Sequence, residues 1–144
     1  MKSLIKKGAK VDARDKSGTS ALMIASSEGY VNIVKLLIAN GADVSAKNKY
    51  EKSALMGAVY KGQNEVIKIL LEKGADINDN KNDMAWTALM LACEWGHSKT
   101  VKLLIRKGAN INLKNKKGKT ALDIALKNKY MNIVKILKDA GAKN

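Results

Sequence analysis

Small and apolar residues recur along the chain with a period of about 33 residues. The dipeptide Gly-Ala marks this period, beginning at Gly8, Gly41, Gly74, Gly108 and Gly141. A second marker, Ser/Thr-Ala-Leu, keeps the same spacing and begins at Ser20, Ser53, Thr87 and Thr120. Two independent markers that keep one period indicate an internal repeat and not an accident of composition.

Each period predicts two short helices. The first begins after the Ser/Thr, a good N-cap. It ends at a glycine suited to the left-handed C-cap conformation (Gly29, Gly62 or Gly96), whereas Lys129 stands there in the fourth period. The second helix carries apolar residues at helical spacing, as in residues 66–71. The polar stretch between Gly-Ala and Ser/Thr favours a short hairpin or an extended loop. Because helix pairs this small cannot bury their apolar faces alone, neighbouring pairs must stack.

The third period contains the clearest copy of the repeated pattern, WTALMLACEWGHSKTVKLLIRKGA over residues 86–109. This pattern resembles the ankyrin repeat family, and the resemblance extends over the whole chain. Two family positions differ: Ala replaces Pro in every repeat, and Met23, Met56, Met90 and Asp123 replace His. The resemblance implies an all-α solenoid of stacked helix pairs with protruding β-hairpin loops. It also implies a protein that binds other macromolecules and is not an enzyme.

The register of the repeats predicts a single ankyrin-repeat domain over residues 1–144. It divides into a partial N-terminal repeat, three full repeats and a C-terminal capping repeat: 1–14, 15–47, 48–80, 81–114 and 115–144. Residues 4–9 match only the end of a second helix, so we expect the chain to have lost residues upstream. Lys138 stands where the earlier repeats have an apolar residue, as expected of a terminal repeat that faces water.

The charge balance bears on the expected partner. With 27 Lys and Arg against 13 Asp and Glu, the formal net charge is +14. Such a charge favours acidic partners, whether a protein, nucleic acid or anionic lipid, although a general enrichment in Lys and Asn explains it equally well. The single cysteine, Cys93, fits a reducing compartment, and no apolar run approaches the roughly 20 residues of a membrane span. We expect a cytoplasmic monomer. A targeting sequence that was removed upstream is compatible with this sequence.

The resemblance implies a concave binding face made of the hairpin tips and the exposed side of each first helix. Four of the six aromatic residues fall on this face: Tyr50, Tyr60, Trp86 and Trp95. Tyr and Trp are enriched at interface hot spots, and we expect the four rings to form one patch. The alternative is that a Trp covers a neighbouring repeat. The predicted contact set is completed by one apolar residue and by lysines that form a charged rim: Met84, Lys49, Lys52, Lys117 and Lys119.

The third period is one residue longer than the others. The extra residue lies between Asp76 and Trp86, and Ala85 stands at a hairpin tip where two other repeats have glycine. Glu51 likewise replaces that glycine in the second repeat. Two interpretations stay open. The loop is either a reshaped finger that presents Met84 and Trp86 to a partner or a tolerated surface insertion.

No catalytic site, metal site or cofactor is predicted. His97, the only histidine, occupies a position to which the family gives a structural role, and Cys93 aligns with buried positions. A metal site would therefore lack ligands, and a nucleophilic site would lack its base. The alternative to a protein partner with an acidic patch is nucleic acid or another polyanion, with the aromatic rings on bases and the lysines on phosphates. Because basic residues are dispersed and Lys outnumbers Arg, we expect only weak, non-specific nucleic-acid binding.

Overall fold

A computed structural model describes residues 7–143. In this range the chain forms eight α-helices in four consecutive pairs. In chain order they are α1 (Ala21–Glu28), α2 (Val31–Ala39), α3 (Ala54–Tyr60), α4 (Asn64–Glu72), α5 (Ala88–Glu94), α6 (Ser98–Arg106), α7 (Ala121–Lys127) and α8 (Met131–Asp139). The predicted all-α architecture of helix pairs is confirmed. The lone helix expected just before Gly8 lies outside the described residues.

The helix pairs belong to two compact units, residues 1–75 and 76–144. The first unit holds α1 to α4, and the second holds α5 to α8. Within the first unit α1 packs on α3 and α2 on α4, and within the second α5 packs on α7 and α6 on α8. The single domain and the repeat boundaries given above stay predictions.

The first helix of each pair begins where the sequence predicts. The hydroxyl oxygens of Ser53, Thr87 and Thr120 accept a hydrogen bond from the backbone N–H three residues on, at 3.2, 3.2 and 3.3 Å, and Ser20 does the same. In the last pair the carboxylate of Asp123 also accepts from the Thr120 N–H at 2.8 Å, which completes a capping box. The residue that departs from the family's His therefore stabilises its own helix.

The first helices end in the left-handed conformation that the glycines indicate. Gly29, Gly62 and Gly96 have φ angles of 77°, 69° and 70°. Lys129, which replaces glycine in the fourth pair, adopts φ 59° as well. The chain reverses here because a residue in this region ends the helical hydrogen-bond series. Each second helix then starts two residues later.

The core of each unit is filled by one face of each first and second helix. Each first helix has an alanine at the same position of the repeat, and none of these alanines is more than 3 % exposed: Ala25, Ala58, Ala92 and Ala125. The second helices contribute β-branched and leucine side chains, such as Val34, Ile67 and Leu104, none of which is exposed. Small residues on one helix and large ones on the other allow the helices to pack closely.

The loops before the first helices are tight turns with little strand pairing. In the first unit two turns are each closed by one isolated antiparallel bridge, Arg14 with Ser20 and Lys47 with Ser53. Their tips are joined, because the Lys49 N–H donates to the Ser17 carbonyl oxygen at 2.9 Å. In the second unit the Lys116 N–H donates in the same way to the Met84 carbonyl at 3.1 Å. The hairpins expected from the resemblance are thus reduced to turns.

Candidate protein-binding surfaces

The loop tips that carry the predicted contact residues are held by one Asn side chain each. The Asn48 carboxamide oxygen accepts from the N–H groups of Tyr50 and Lys52, at 2.9 and 3.1 Å. The Asn115 oxygen accepts in the same way from Lys117 and Lys119, at 2.9 and 3.0 Å. Two bonds to one oxygen fix the backbone directly beneath the side chains that point outward.

The third loop uses Asn82 for the same purpose. Its side-chain oxygen accepts from the N–H groups of Trp86 and Met84, at 2.9 and 3.3 Å, and its amide donates to the Trp86 carbonyl at 2.7 Å. In the first loop Asp15 takes this place and accepts from Ser17 and Thr19. The sequence reasoning missed these four residues. The signal was available, because an Asp or Asn recurs at this register in every period.

In the first unit, the predicted contact residues are Lys49, Tyr50 and Lys52 on the loop tip and Tyr60 at the end of α3. All four are exposed, and 70 % of the Tyr50 surface is accessible to water. Tyr60 retains 46 % exposure. The tip includes Glu51, whose φ of 57° is a left-handed conformation that its side chain disfavours.

The lysines of this loop are available for interactions outside the fold. Within the described residues, neither Lys49 nor Lys52 forms an ion pair. The carboxylate on the same loop tip, that of Glu51, instead approaches the Lys47 ammonium group at 3.9 Å. The loop tip therefore presents a ring between two positive charges.

In the second unit, the predicted contact residues are Met84, Trp86 and Trp95, with Lys117 and Lys119 on the adjoining loop tip. Met84 is 41 % exposed and Trp95, at the C-cap of α5, is 49 % exposed. Trp86 is half-buried, and so presents less surface than its predicted role suggests. Because Met84 and Lys116 share a backbone hydrogen bond, the apolar tip and the lysine tip are neighbours.

The fourth loop has an electrostatic effect on its own unit. The pKa of the Asp123 carboxyl lies below its ordinary value of 3.8 because the Thr120 N–H donates to it, and the positive charges of Lys119 and Lys114 add to the effect. Lys117 and Lys119 are both exposed, and within the described part of the chain neither forms an ion pair. The expectation that all four rings form one patch involves both units and stays a prediction.

Neither residue with a reactive side chain, Cys93 or His97, belongs to the predicted contact set. Cys93 is fully buried, and this burial raises the pKa of its thiol to about 12. His97 occupies the N-cap position of α6, where its side chain makes no capping hydrogen bond. Its backbone carbonyl instead accepts from the Val101 N–H at 2.9 Å. Residues 7–143 contain no cluster of three His, Cys, Asp or Glu side chains that could hold a metal ion.

The structure repeats one unit, which consists of a hydrogen-bonded loop tip and a pair of helices joined at a left-handed residue. These features define a helical repeat protein. A family model described as ankyrin repeats (3 copies) matches residues 1–81 and again residues 78–144. The chain belongs to the ankyrin repeat family. Ankyrin repeats are in general protein–protein interaction modules and are typically not enzymes. No curated protein matches the chain. Among the helices of residues 7–143, none has the length and apolar character needed to cross a bilayer.

Proposed function

We propose that the chain binds a protein partner with an acidic surface through the loop tips and the ends of the first helices. Tyr50, Tyr60, Met84, Trp86 and Trp95 supply the apolar contacts. Lysines on the same and adjoining loop tips supply the charge: Lys49, Lys52, Lys117 and Lys119. The single observation that carries the proposal is Tyr50, a large ring that is 70 % exposed on a loop tip fixed by hydrogen bonds.

The exposed rings are suited to burial against a partner. Covering roughly 100 Å² of ring at about 25 cal/mol per Å² contributes about 2.5 kcal/mol. That value is in the range of interface hot spots, which are enriched in Tyr and Trp. The loop tips need little ordering on binding because Asn48, Asn82 and Asn115 already fix their backbones.

The lysines are suited to attracting an acidic partner. Residues 1–75 contain 13 basic and seven acidic side chains, and residues 76–144 contain 14 basic and six acidic ones. Exposed charges of this kind raise the association rate more than the final affinity, and salt screens them. We expect added salt to slow association with the partner while the dissociation rate changes little.

A capture experiment tests the proposal. The immobilised chain is compared with Tyr50→Ala and with a control, Met131→Ala, which removes an apolar side chain that is 62 % exposed on α8. We expect the control to retain the same bound protein and Tyr50→Ala to lose it. Equal retention by both variants contradicts the proposal. Retention of nucleic acid with nanomolar affinity and sequence preference would favour polyanion binding instead.

We also propose that the protein is a monomer and that it functions in the reducing environment of the cytoplasm. Support comes from Cys93, a free thiol that is fully buried and thus needs no disulfide partner. Sedimentation or light scattering of the reduced protein at working concentrations tests the oligomeric state. A dimer mass would contradict it.

A further inference from the structure

We propose that Asn40-Gly41 is a modification site at which the Asn40 carboxamide is lost spontaneously when the end of α2 opens. It is the one Asn-Gly pair in the sequence. In the chemistry, the deprotonated Gly41 backbone nitrogen attacks the Asn40 side-chain carbonyl carbon. A carbon–nitrogen bond forms, the side-chain nitrogen leaves as ammonia, and water opens the cyclic imide to aspartate or isoaspartate. The net change is the replacement of an amide NH₂ by OH, with water consumed and ammonia released.

The Asn40-Gly41 pair lies at the protein surface. Asn40 and Gly41 are both exposed. A Cβ built on Gly41 would have no atom within 4 Å, so the space beside the Gly41 backbone is open. Every other Asn in the chain that has a following residue precedes one with a side chain, which hinders the same attack.

The folded turn holds both reacting groups in other bonds. The Gly41 N–H donates to the Ile38 carbonyl at 3.0 Å, so this nitrogen is not available as a nucleophile. The Asn40 side-chain amide donates to the Leu36 carbonyl at 2.8 Å, one helical turn back. Both bonds must break before the ring can close. The modification rate therefore depends on how often the last turn of α2 opens.

The product does not fit the turn as well as the parent. A carboxylate has no N–H to donate to the Leu36 carbonyl, and it places a negative charge among the unpaired carbonyls at a helix C-terminus, where anions are unfavourable. The two following pairs have Lys73 and Lys107 at the corresponding C-cap, where a positive charge is favourable. Modification of Asn40 should therefore destabilise the last turn of α2, the same turn that protects Asn40 from modification.

Peptide mass spectrometry of the intact chain, incubated under mildly alkaline conditions, tests the site. We expect Asn40 to convert first among the asparagines, and to convert faster in a urea concentration that unfolds the chain. The variant Asn40→Asp mimics the product and should lower the unfolding temperature by about 3 °C or more. The control Asn40→Lys introduces the residue found in the next two pairs and should keep the parent's stability.

Two results would overturn the inference. One is conversion of another asparagine before Asn40. The other is a conversion rate for Asn40 that is the same in the folded and the unfolded chain, which would remove the protective role of the turn. An Asn40→Asp variant as stable as the parent would contradict the proposed consequence.

Discussion

Gly96 and Gly118 have the same backbone torsion but different surroundings. Both adopt φ 70°, a left-handed conformation in which a side chain is strained. A Cβ at Gly96 would lie 2.9 Å from Cζ of the Tyr130 ring and 3.2 Å from both Cε atoms. A Cβ at Gly118 would have no atom within 4 Å. Replacing each glycine by alanine therefore separates backbone strain from steric conflict within one unit.

The expected losses follow from these two terms. The left-handed conformation costs alanine about 1–2 kcal/mol. Alanine also lowers the conformational entropy of the unfolded chain, which stabilises the folded state by about 0.4–1 kcal/mol. Gly118→Ala should thus lower the free energy of unfolding by roughly 0.5–1 kcal/mol. Gly96→Ala must also displace the Tyr130 ring, which is 36 % exposed and can move towards solvent, so the added cost should be about 1 kcal/mol, at the low end of overpacking. Its total loss should be about 1.5–2 kcal/mol.

Urea unfolding followed by circular dichroism measures both losses. The double variant Gly96→Ala, Tyr130→Ala removes the ring that the new methyl group meets. Relative to Tyr130→Ala alone, the Gly96→Ala change should then cost no more than the change at Gly118. Equal losses for the two single glycine variants, or a Gly96→Ala penalty unaffected by removal of the ring, would refute this reasoning.

Three further predictions concern single residues. Ser26 has a buried hydroxyl oxygen without a hydrogen-bond partner, so Ser26→Ala should raise the free energy of unfolding by about 1 kcal/mol; a loss in urea unfolding would contradict this. Ala85 adopts φ 53°, so Ala85→Gly should raise the free energy of unfolding by roughly 0.5 kcal/mol in the same assay. A lower free energy of unfolding would argue against strain at this loop tip. Cys93 is buried with a thiol pKa raised to about 12, so alkylation at neutral pH should proceed only as fast as the second unit opens; rapid labelling in native buffer would contradict this.

The parts of the fold that depend on local sequence could be predicted. The Ser/Thr caps and the glycine ends mark each first helix, because capping and left-handed torsions are set by one or two residues. Even the exceptions could be located, since Glu51, Ala85 and Lys129 all stand at glycine positions and all adopt a positive φ.

The surroundings of individual side chains could not be predicted in the same way. Trp86 is half-buried, whereas Lys52 and Lys119, which donate the same backbone hydrogen bond to a loop Asn, are exposed. Spacing along the chain therefore does not indicate how far a side chain at this position is covered. The contact between Tyr130 and Gly96 joins residues that are a full repeat apart in the sequence. Partner-binding roles remain predictions because they depend on a surface that belongs to another molecule.

The most direct test of the binding proposal compares Tyr50→Ala with Tyr30→Ala. Both variants remove a tyrosine from the first unit, at 70 % and 53 % exposure, but only Tyr50 lies on a proposed contact loop. We expect Tyr50→Ala to change the free energy of unfolding by less than about 0.5 kcal/mol. It should weaken partner binding by about 2 kcal/mol, roughly thirtyfold in Kd, whereas Tyr30→Ala should leave Kd unchanged. Unchanged binding by Tyr50→Ala, or equal weakening by both variants, would contradict the account.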